Sequence, residues 1–464
     1  MWRTNRGFYV ALFATFLSFS VIEKQCGEQI GAFMYICSPL SCFFLELERI
    51  MANKNNYFFY LFAVYGKIIV ERVHKVMKKT TSIVFTGDIG FDHYMEGRFE
   101  DDNLLSQDIK NFLQAADHIC VNVEGALSDK VKTVNKNGVA ALTHSMSPKV
   151  GDFLTGIGAD IWNLCNNHIM DAGPEGLFDT LELAKEKHAD TIGVGKNLSE
   201  AMEPLIFEEA GGIGVFAVGY QRACRKASED TPGCFSWSDL ENIKKNIDKI
   251  KRKCRYCIVV AHAGEEFTCL PNPYTRDRYI EFLNMGADFV VAHHPHVPMN
   301  YEKVGDKYIF YSLGNFIFDT DYQRSQYNTE KGVLLKLNLS EDSFSFEALG
   351  LRINREKETV EKAELPLIFT NVEKEEYEKL APFSAKAFIN ATKKQQIYLK
   401  PDKYNENTTE EEWHENFYEP LRSGRVPGET LDFQILVPFS ESIDYNKWHE
   451  SKLEDVKAYI SEQL

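Results

Sequence analysis

The sequence predicts an α/β fold with a full hydrophobic core. From residue 82 onward, short apolar runs typical of buried strands alternate with segments whose apolar residues recur at helical spacing. The chain has 464 residues, of which 44% are hydrophobic and 26% are charged. This length suits one large domain or two medium domains. No repeat at a fixed period is visible in the sequence, which disfavours a solenoid.

The predicted elements follow one another in a β/α order. Helical spacing predicts helices at residues 104–116, from Pro174 onward, at 239–253 and at 274–285. Strands are predicted at residues 82–86, 118–123, 160–164, 213–218, 256–261, 288–292 and 307–313, with a closing antiparallel pair at 332–339 and 344–353. The early strands are separated by helices and the later strands lie closer together. The core is therefore either a mixed sheet or two sheets with outer helices.

Three regions of the chain differ in character. Residues 81–354 carry the α/β pattern, and we treat them as one domain. Residues 1–80 form an N-terminal extension, and residues 355–464 form a C-terminal extension without a predicted role.

The N-terminal extension contains an uncharged run at residues 8–22. This run is shorter than the roughly 20 apolar residues that span a bilayer. It is interpreted as a membrane anchor, as a secretory signal or as sequence upstream of a misplaced start. Translation from near Met77 predicts a cytoplasmic protein. If residues 8–22 belong to the natural protein, they predict membrane association or an extracytoplasmic location. The localisation therefore stays open.

The charge of the chain disfavours nucleic-acid binding, and its cysteines disfavour a disulfide-bonded fold. The formal charge of −16 disfavours nucleic acid as a partner, because an acidic surface repels phosphate backbones. An acidic protein that handles an anionic substrate needs local positive charge, which bound metal cations can supply. The ten cysteines show no disulfide framework and favour buried free thiols. Cys254 and Cys257 have the spacing of zinc ligands, but a second such pair is missing from the sequence.

Polar motifs follow five predicted strands at their carboxyl ends, where α/β sheets bind ligands. They are Gly87-Asp88, Asn122-Val-Glu124, Asn166-Asn167-His168 with Asp171, His262-Ala-Gly264-Glu265-Glu266 and His293-His294-Pro-His296. Each motif alone has an ordinary interpretation as a helix cap, a turn or a surface segment. Together, imidazole, amide and carboxylate groups are typical of Zn, Mn or Fe sites. A bridging carboxylate such as Glu124 could hold two ions about 3.5–4 Å apart, as in two-metal hydrolases.

These motifs, together with Tyr311-Ser-Leu-Gly-Asn-Phe316, resemble the CapA (PGA_cap) branch of the metallophosphoesterase, or calcineurin-like, superfamily. The resemblance covers roughly residues 82–320. It implies a metallophosphoesterase-like two-sheet sandwich flanked by helices. It also implies one or two divalent metal ions, of Mn, Fe or Zn.

The resemblance also implies a role for each site residue. Asp88 holds a first metal, Glu124 bridges, and Asn167 and His262 hold a second metal. His294 and His296 divide between the two metals. His168 and Asp171 form the catalytic set, with His168 near the leaving group as general acid or transition-state stabiliser.

The chain departs from the superfamily pattern at the first motif. The superfamily has Asp-x-His, whereas this chain has Asp88-Ile-Gly90, so that one ligand of the first site is missing. Asp92 or His93 could replace it if the loop turns back. Glu124 stands where the superfamily usually has Asp. The second site therefore has the more complete set of predicted ligands.

The implied function is that of a CapA-like protein in capsule or poly-γ-glutamate biosynthesis with a metal-dependent, phosphoesterase-type hydrolase site. Its expected partners are an anionic substrate or surface polymer and other capsule-synthesis proteins. A variant of this function acts on the γ-amide bonds of the polymer. The alternative is a non-catalytic, metal-containing binding or assembly factor for an anionic surface polymer, which the missing histidine of the first motif favours.

Overall fold

The described part of the chain is its α/β domain and the segment that follows it. The structure is a computed structural model that describes residues 80–380 except 131–134, 137–138, 141–143, 221–223, 269, 325 and 327. The uncharged run at residues 8–22 and most of the C-terminal extension lie outside the described residues. Within the described ranges, no helix combines the length and the apolar character needed to cross a membrane.

The described residues form strands and helices in an alternating order. The strands are β1 Thr80–Gly90, β2 His118–Val123, β3 Ala126–Leu127, β4 Asn135–Lys136, β5 Val139–Ala140, β6 Ser145–Met146, β7 Ile161–Asn163, β8 Asp190–Ile192, β9 Val194–Gly195, β10 Leu205–Phe207, β11 Ile213–Gly219, β12 Gly233–Cys234, β13 Tyr256–His262, β14 Phe289–His293, β15 Tyr301–Val304, β16 Lys307–Phe310, β17 Asn315–Phe318, β18 Lys331–Ser340, β19 Phe344–Asn354 and β20 Thr359–Lys362. The α-helices are α1 Gln107–Gln114, α2 Val150–Gly156, α3 Gly173–Glu186, α4 Leu198–Ala201, α5 Leu240–Lys251, α6 Pro273–Met285 and α7 Asp321–Arg324.

Two mixed sheets form the core. The first has the strand order β20-β19-β18-β1-β2-β7-β8, with β17 also paired to β1, and the second has the order β10-β11-β13-β14-β16-β15. In the first sheet β1, β2, β7 and β8 run parallel, whereas β18, β19 and β20 pair antiparallel. The predicted α/β class is confirmed. Of the two architectures left open by the sequence, the described residues form the one with two sheets.

Aromatic side chains join the two sheets. Phe344 of β19 packs edge-on against Phe289 of β14, with ring centroids 4.9 Å apart. Phe346 packs in the same way against Phe310 of β16 at 5.2 Å. Full burial of one such side chain contributes about 1.5–3 kcal/mol. Contacts of this kind hold the sheets together and so fix the position of one set of strand ends relative to the other.

Only the first part of the strand predicted at residues 307–313 forms a strand in the structure. Strand β16 ends at Phe310, and the chain then turns at Gly314 (φ +69°) and enters the first sheet as β17. The apolar residues Tyr311 and Leu313 extend the strand pattern beyond the observed end of β16. This crossing carries Asn315 from one sheet to the other, close to Asp88, with which it is in register.

Part of the C-terminal extension packs on the domain. Strand β20 pairs with β19 at the edge of the first sheet. Further on, Val372 N–H donates to Tyr301 O (2.9 Å) and Tyr377 Oη donates to Pro271 O (2.7 Å). Strand β20 has no clear strand pattern in the sequence, because its four residues contain a single apolar side chain, Val360.

The first sheet is tightly packed where Gly87 meets Gly314. Asp88 N–H donates to Gly314 O (3.0 Å), and a Cβ at Gly87 would lie 2.1 Å from the same oxygen. The substitution Gly87→Ala is therefore expected to lower the free energy of unfolding by about 1–3 kcal/mol, because backbone has to shift. Urea titration measures the change. Gly156→Ala, where a Cβ meets no atom within 4 Å, is the control, and equal stabilities of the two variants contradict the expectation.

Candidate metal centre

The polar motifs meet where the two sheets bring the carboxyl ends of their strands together. Asp88 of β1 is in register with Asn122 of β2, and His262 of β13 is in register with His293 of β14. His293 Nε2–H donates to Thr86 O (2.8 Å) and so links the second sheet to β1. Motifs far apart in sequence therefore form one cluster.

Two groups of potential metal ligands share one carboxylate. Glu124, His262 and His294 form the first group, and Asp88, Glu124 and His296 form the second. The ligand atoms of each group lie within 4.8 Å of one another, and each residue is at most 3% exposed. The structure thus brings five of the six predicted ligands together, with Glu124 common to both groups.

The sixth predicted ligand, Asn167, lies beside the first of these groups. Its Oδ1 is 2.8 Å from His262 Nε2. Glu124 Oε1 is 3.7 Å from that same nitrogen and 3.5 Å from His296 Nε2. Imidazole nitrogens from both groups therefore face a single carboxylate oxygen.

Glu124 provides the test of whether these residues fit a cation. Its side chain is fully buried, and neither carboxylate oxygen accepts a hydrogen bond from a residue that the structure describes. Burial raises the pKa of Glu124 well above its usual value; the His296 imidazole opposes this shift, and the nearby Asp88 carboxylate adds to it. A buried carboxylate in this situation is costly unless positive charge compensates it. The donor set of carboxylate, imidazole and amide groups fits a divalent metal ion.

A chain of amides holds Asp88 in place. Asn122 Nδ2 donates to Asp88 Oδ1 and Asn163 Nδ2 donates to Asn122 Oδ1, both at 2.8 Å. Cys165 N–H in turn donates to Asn163 Oδ1 (3.1 Å). Because β1, β2 and β7 are neighbours, the register of the sheet fixes the orientation of the carboxylate. Sequence reasoning missed Asn163, although a polar residue inside an otherwise apolar strand was a signal.

His296 is oriented by Asn315. The Nδ1 atom of His296 lies 3.0 Å from Asn315 Oδ1 and 3.3 Å from Asp88 Oδ2. Asn315 Nδ2 donates to Gln323 Oε1 and Thr329 O, so that its oxygen is turned toward the imidazole. Such support of one ring nitrogen, with the other left for the ion, is typical of metal-binding histidines. Burial alone lowers the pKa of His296, but the Glu124 and Asp88 carboxylates raise it to about 10.

The predicted catalytic pair lies next to the ligands. His168 Nδ1–H donates to Asp171 Oδ2 (2.7 Å), and its backbone N–H donates to Asn166 Oδ1 (3.1 Å). Asn166 Nδ2 in turn donates to Val123 O (2.7 Å), the residue before Glu124. Burial and the neighbouring His144 lower the pKa of His168 to about 4. The ring is therefore neutral at pH 7.

The two glutamates that follow His262 have different surroundings. Glu265 accepts hydrogen bonds from Asn272 N–H (3.0 Å) and Thr275 Oγ1 (2.7 Å) at the start of α6. Glu266 acts electrostatically on Glu124, and also on His294 and His296. The sequence left open which of the two belongs to the motif. The charge of Glu266 raises the pKa of residues in both ligand groups, whereas that of Glu265 acts on His294.

Neither candidate for the missing ligand of the first motif joins a ligand group. His93 is exposed, and Asp92 Oδ2 instead forms a hydrogen bond with His144 Nδ1. Among the described residues, the group around Asp88 contains Glu124 and His296 only. His144 was missed because it lies in a segment without a helical or strand pattern, and its contact with Asp92 spans 52 residues.

The Asp92–His144 pair predicts a dependence of stability on pH. Burial raises the pKa of Asp92, but its hydrogen bond and charge interaction with His144 lower it more, so that the net direction is downward. The unfolded chain therefore takes up this proton at higher pH than the folded chain. The stabilisation is complete above the usual Asp pKa of about 4 and is lost as pH falls through the folded value.

We therefore expect Asp92→Asn to flatten the loss of stability between about pH 5 and pH 3. Urea midpoints across this range measure the slope. Asp190→Asn is a control of opposite sign, because partial desolvation and the nearby Asp160 carboxylate raise the pKa of Asp190. A slope for Asp92→Asn as steep as that of the wild type contradicts the expectation.

Comparisons with known proteins match the part of the chain that holds the site. The chain is 30% identical over 268 residues to the PGA biosynthesis protein CapA of Bacillus subtilis (strain 168), which covers 56% of this chain and 69% of that protein. It is 30% identical over 239 residues to the capsule biosynthesis protein CapA of Bacillus anthracis, which covers 50% of this chain. The chain spans about half, 52%, of the length of this second relative.

Two solved structures are similar to part of this chain. A hypothetical protein from Thermus thermophilus has a TM-score of 0.36 at 12% identity, over 58% of this chain and 99% of that chain. A purple acid phosphatase from yellow lupin (Lupinus luteus) seeds has a TM-score of 0.27 at 11% identity, over 61% of this chain and 54% of that chain.

The family match decides the assignment. Residues 82–320 match the family described as bacterial capsule synthesis protein PGA_cap. This range is just over half of the chain, and it contains every motif of the candidate metal centre. The resemblance seen in the sequence is confirmed, and the chain belongs to the PGA_cap family of bacterial capsule synthesis proteins.

Proposed function

We propose that the chain is a metal-dependent hydrolase of the phosphoesterase type that acts in capsule or poly-γ-glutamate biosynthesis. The observation that carries the proposal is the sharing of Glu124 by two buried ligand groups. Two-metal hydrolases hold their ions about 3.5–4 Å apart, which a shared carboxylate permits. The names of the two Bacillus relatives, which refer to PGA and capsule biosynthesis, support the biological process.

The metal ions proposed are one or two of Mn, Fe or Zn. Glu124, His262 and His294, with Asn167 beside them, would hold one ion, and Asp88, Glu124 and His296 would hold the other. Mixed imidazole and carboxylate ligation suits these metals. Ions bound there would supply Lewis-acid polarisation of a phosphoryl oxygen and would lower the pKa of a water molecule.

The residues of the chain itself bind, orient and move protons. His168 donates Nδ1–H to Asp171, which leaves Nε2 as the nitrogen that can exchange a proton with the substrate. The neutral ring first takes up a proton if it is to act as general acid, and an anionic substrate favours that uptake. This requirement agrees with an anionic substrate, which we propose although the chain carries a formal charge of −16.

The second candidate function is a non-catalytic binding or assembly factor for an anionic surface polymer. The observation that favours it is the first motif, Asp88-Ile-Gly90, which lacks the histidine usual in the superfamily. Neither Asp92 nor His93 replaces this ligand among the described residues. Such a factor would hold metal ions for structure or for polymer binding.

The test uses the full chain purified without chelator. Bound metal is measured by mass spectrometry, and hydrolysis of bis(p-nitrophenyl) phosphate and of poly-γ-glutamate is assayed before and after chelation, with and without added Mn²⁺. We expect about two equivalents of metal and phosphoester hydrolysis that chelation abolishes and Mn²⁺ restores. Folded, metal-loaded protein that leaves the phosphoester intact overturns the hydrolase proposal. If the metal-loaded protein also binds poly-γ-glutamate without cleaving it, the second candidate holds.

A further inference from the structure

Two histidine–carboxylate pairs lie in contact beside the metal ligands. One is His168 with Asp171, joined from Nδ1 to Oδ2 at 2.7 Å, and the other is His144 with Asp92, joined in the same way. The two imidazole rings meet edge to face with centroids 4.2 Å apart. The side chains of His144 and His168 are 7% and 15% exposed. Each ring is therefore anchored at Nδ1 by its own carboxylate while it packs against the other ring.

The backbone of His144 joins the two pairs. His144 N–H donates to Asp171 Oδ2 (2.9 Å), the same oxygen that accepts the hydrogen bond of His168 Nδ1. The position of Asp171, and through it the orientation of His168, therefore depends on where the segment around His144 lies.

That segment is held against the backbone that follows β2, next to Glu124. Gly125 has a φ of +131°, and a Cβ there would lie 2.7 Å from His144 O. The following strand β6 pairs with β3, which begins one residue after Gly125. The Phe318 ring contacts both His144 (5.1 Å) and His296 (5.0 Å). His144 therefore lies between the backbone next to Glu124, the Phe318 ring that also contacts His296, and the His168 ring.

We infer that His144 is a positioning residue that orients His168 for its reaction with the leaving group. Asp92 holds the His144 ring, and this ring with its backbone N–H holds His168 and Asp171. The inference rests on the proposed function and adds a residue to it. His144 is neither a ligand, because it belongs to neither ligand group, nor part of the Asp88 motif.

The physical basis is the sensitivity of proton transfer to geometry. A positioned acid or base contributes about 10²–10⁴-fold to a rate. A displacement of about 1 Å can remove 10²-fold of such a contribution. The loss is larger for a poor leaving group, which needs the proton, than for a good leaving group, which departs without it.

The activity test compares two phosphodiesters that differ in their leaving group. Bis(p-nitrophenyl) phosphate has the better leaving group and diphenyl phosphate the poorer one. We expect His144→Ala to lower kcat on diphenyl phosphate by about 10-fold or more, with a smaller loss on the nitrophenyl ester. KM and metal content stay at the wild-type level. His144→Phe keeps a ring against His168 but loses the bond to Asp92, and we expect an intermediate kcat.

The matched control is His118→Ala. His118 also pairs through Nδ1 with an aspartate, Asp160 Oδ2 at 2.6 Å, and packs against a ring, Phe207. It stands at the start of β2, whereas Glu124 follows the end of that strand. We expect both esters to be hydrolysed by this variant as by the wild type. Equal losses on the two esters in His144→Ala, matched by His118→Ala, overturn the inference.

A second readout does not depend on activity. We expect the Nδ1–H proton of His168, bonded to Asp171, to give a downfield proton resonance in the full chain, and His168→Ala to identify it by its loss. We expect His144→Ala to shift or remove this resonance, and His118→Ala to leave it in place. An unchanged resonance in His144→Ala overturns the inference whatever the activity. If the wild type hydrolyses neither ester, the proposed function fails, and the resonance alone decides on His144.

Discussion

Replacing Glu124 by alanine is expected to remove bound metal from both ligand groups and to abolish hydrolysis. Glu124 is the residue that the two groups have in common, so that its loss leaves each with one ligand fewer. The fall in kcat is expected to exceed about 10²-fold, the upper range for residues that support metal ligands indirectly. Metal content and the rate on bis(p-nitrophenyl) phosphate measure the two effects.

Removal of the Glu124 charge is expected to stabilise the metal-free protein, although it weakens metal binding. The Glu124 carboxylate is buried and accepts no hydrogen bond from a described residue. Glu124→Gln removes this charge, and we expect it to raise the free energy of unfolding of the metal-free protein by about 1–3 kcal/mol. Glu265→Gln is the matched control. Glu265 is 4% exposed and bonded to Asn272 and Thr275, so its variant should lose stability and keep its metal.

Full metal content in Glu124→Ala contradicts the account of a shared ligand. The same holds if Glu265→Gln loses as much metal as Glu124→Ala, because a general loss of structure would then explain both.

Replacing His168 by alanine is expected to lower kcat on diphenyl phosphate by about 10²–10⁴-fold while the metal content stays unchanged. His168 lies beside the ligands and belongs to neither ligand group. It is fixed by Asp171 at Nδ1 and by Asn166 at its backbone N–H. Steady-state rates and metal analysis on the same preparation separate the two quantities.

The exposed His93 supplies the control for this variant. His93→Ala removes an imidazole from the segment that follows Asp88, without touching either ligand group. We expect it to retain the wild-type rate. A His168→Ala protein that loses its metal, or that turns over as fast as His93→Ala, contradicts the role assigned to His168.

The grouping of the candidate metal ligands could be predicted from sequence because sheet geometry is regular. Asp88 lies near the end of an apolar run and Glu124 directly follows the next one, and parallel strands end at a common edge. His262 and His293 are last in their strands and lie in register. Order along the chain was therefore enough to place these residues near one another.

Other features depended on contacts that the sequence does not encode locally. Asn163 reaches the site through Asn122, and His144 through Asp92 and Asp171, so that neither carries a motif of its own. Glu265 and Glu266 are adjacent in a loop, where no strand periodicity decides which of them faces the ligands. The turn at Gly314, where the chain passes from the second sheet to the first, lies between two apolar segments and has no separate sequence signal.

Anomalous diffraction from crystals of the full chain grown with Mn²⁺ tests the central claim most directly. The shared position of Glu124 predicts two anomalous peaks, one among Glu124, His262 and His294 and the other among Asp88, Glu124 and His296. Crystals that contain Mn²⁺ but show no anomalous peak next to Glu124 would contradict it.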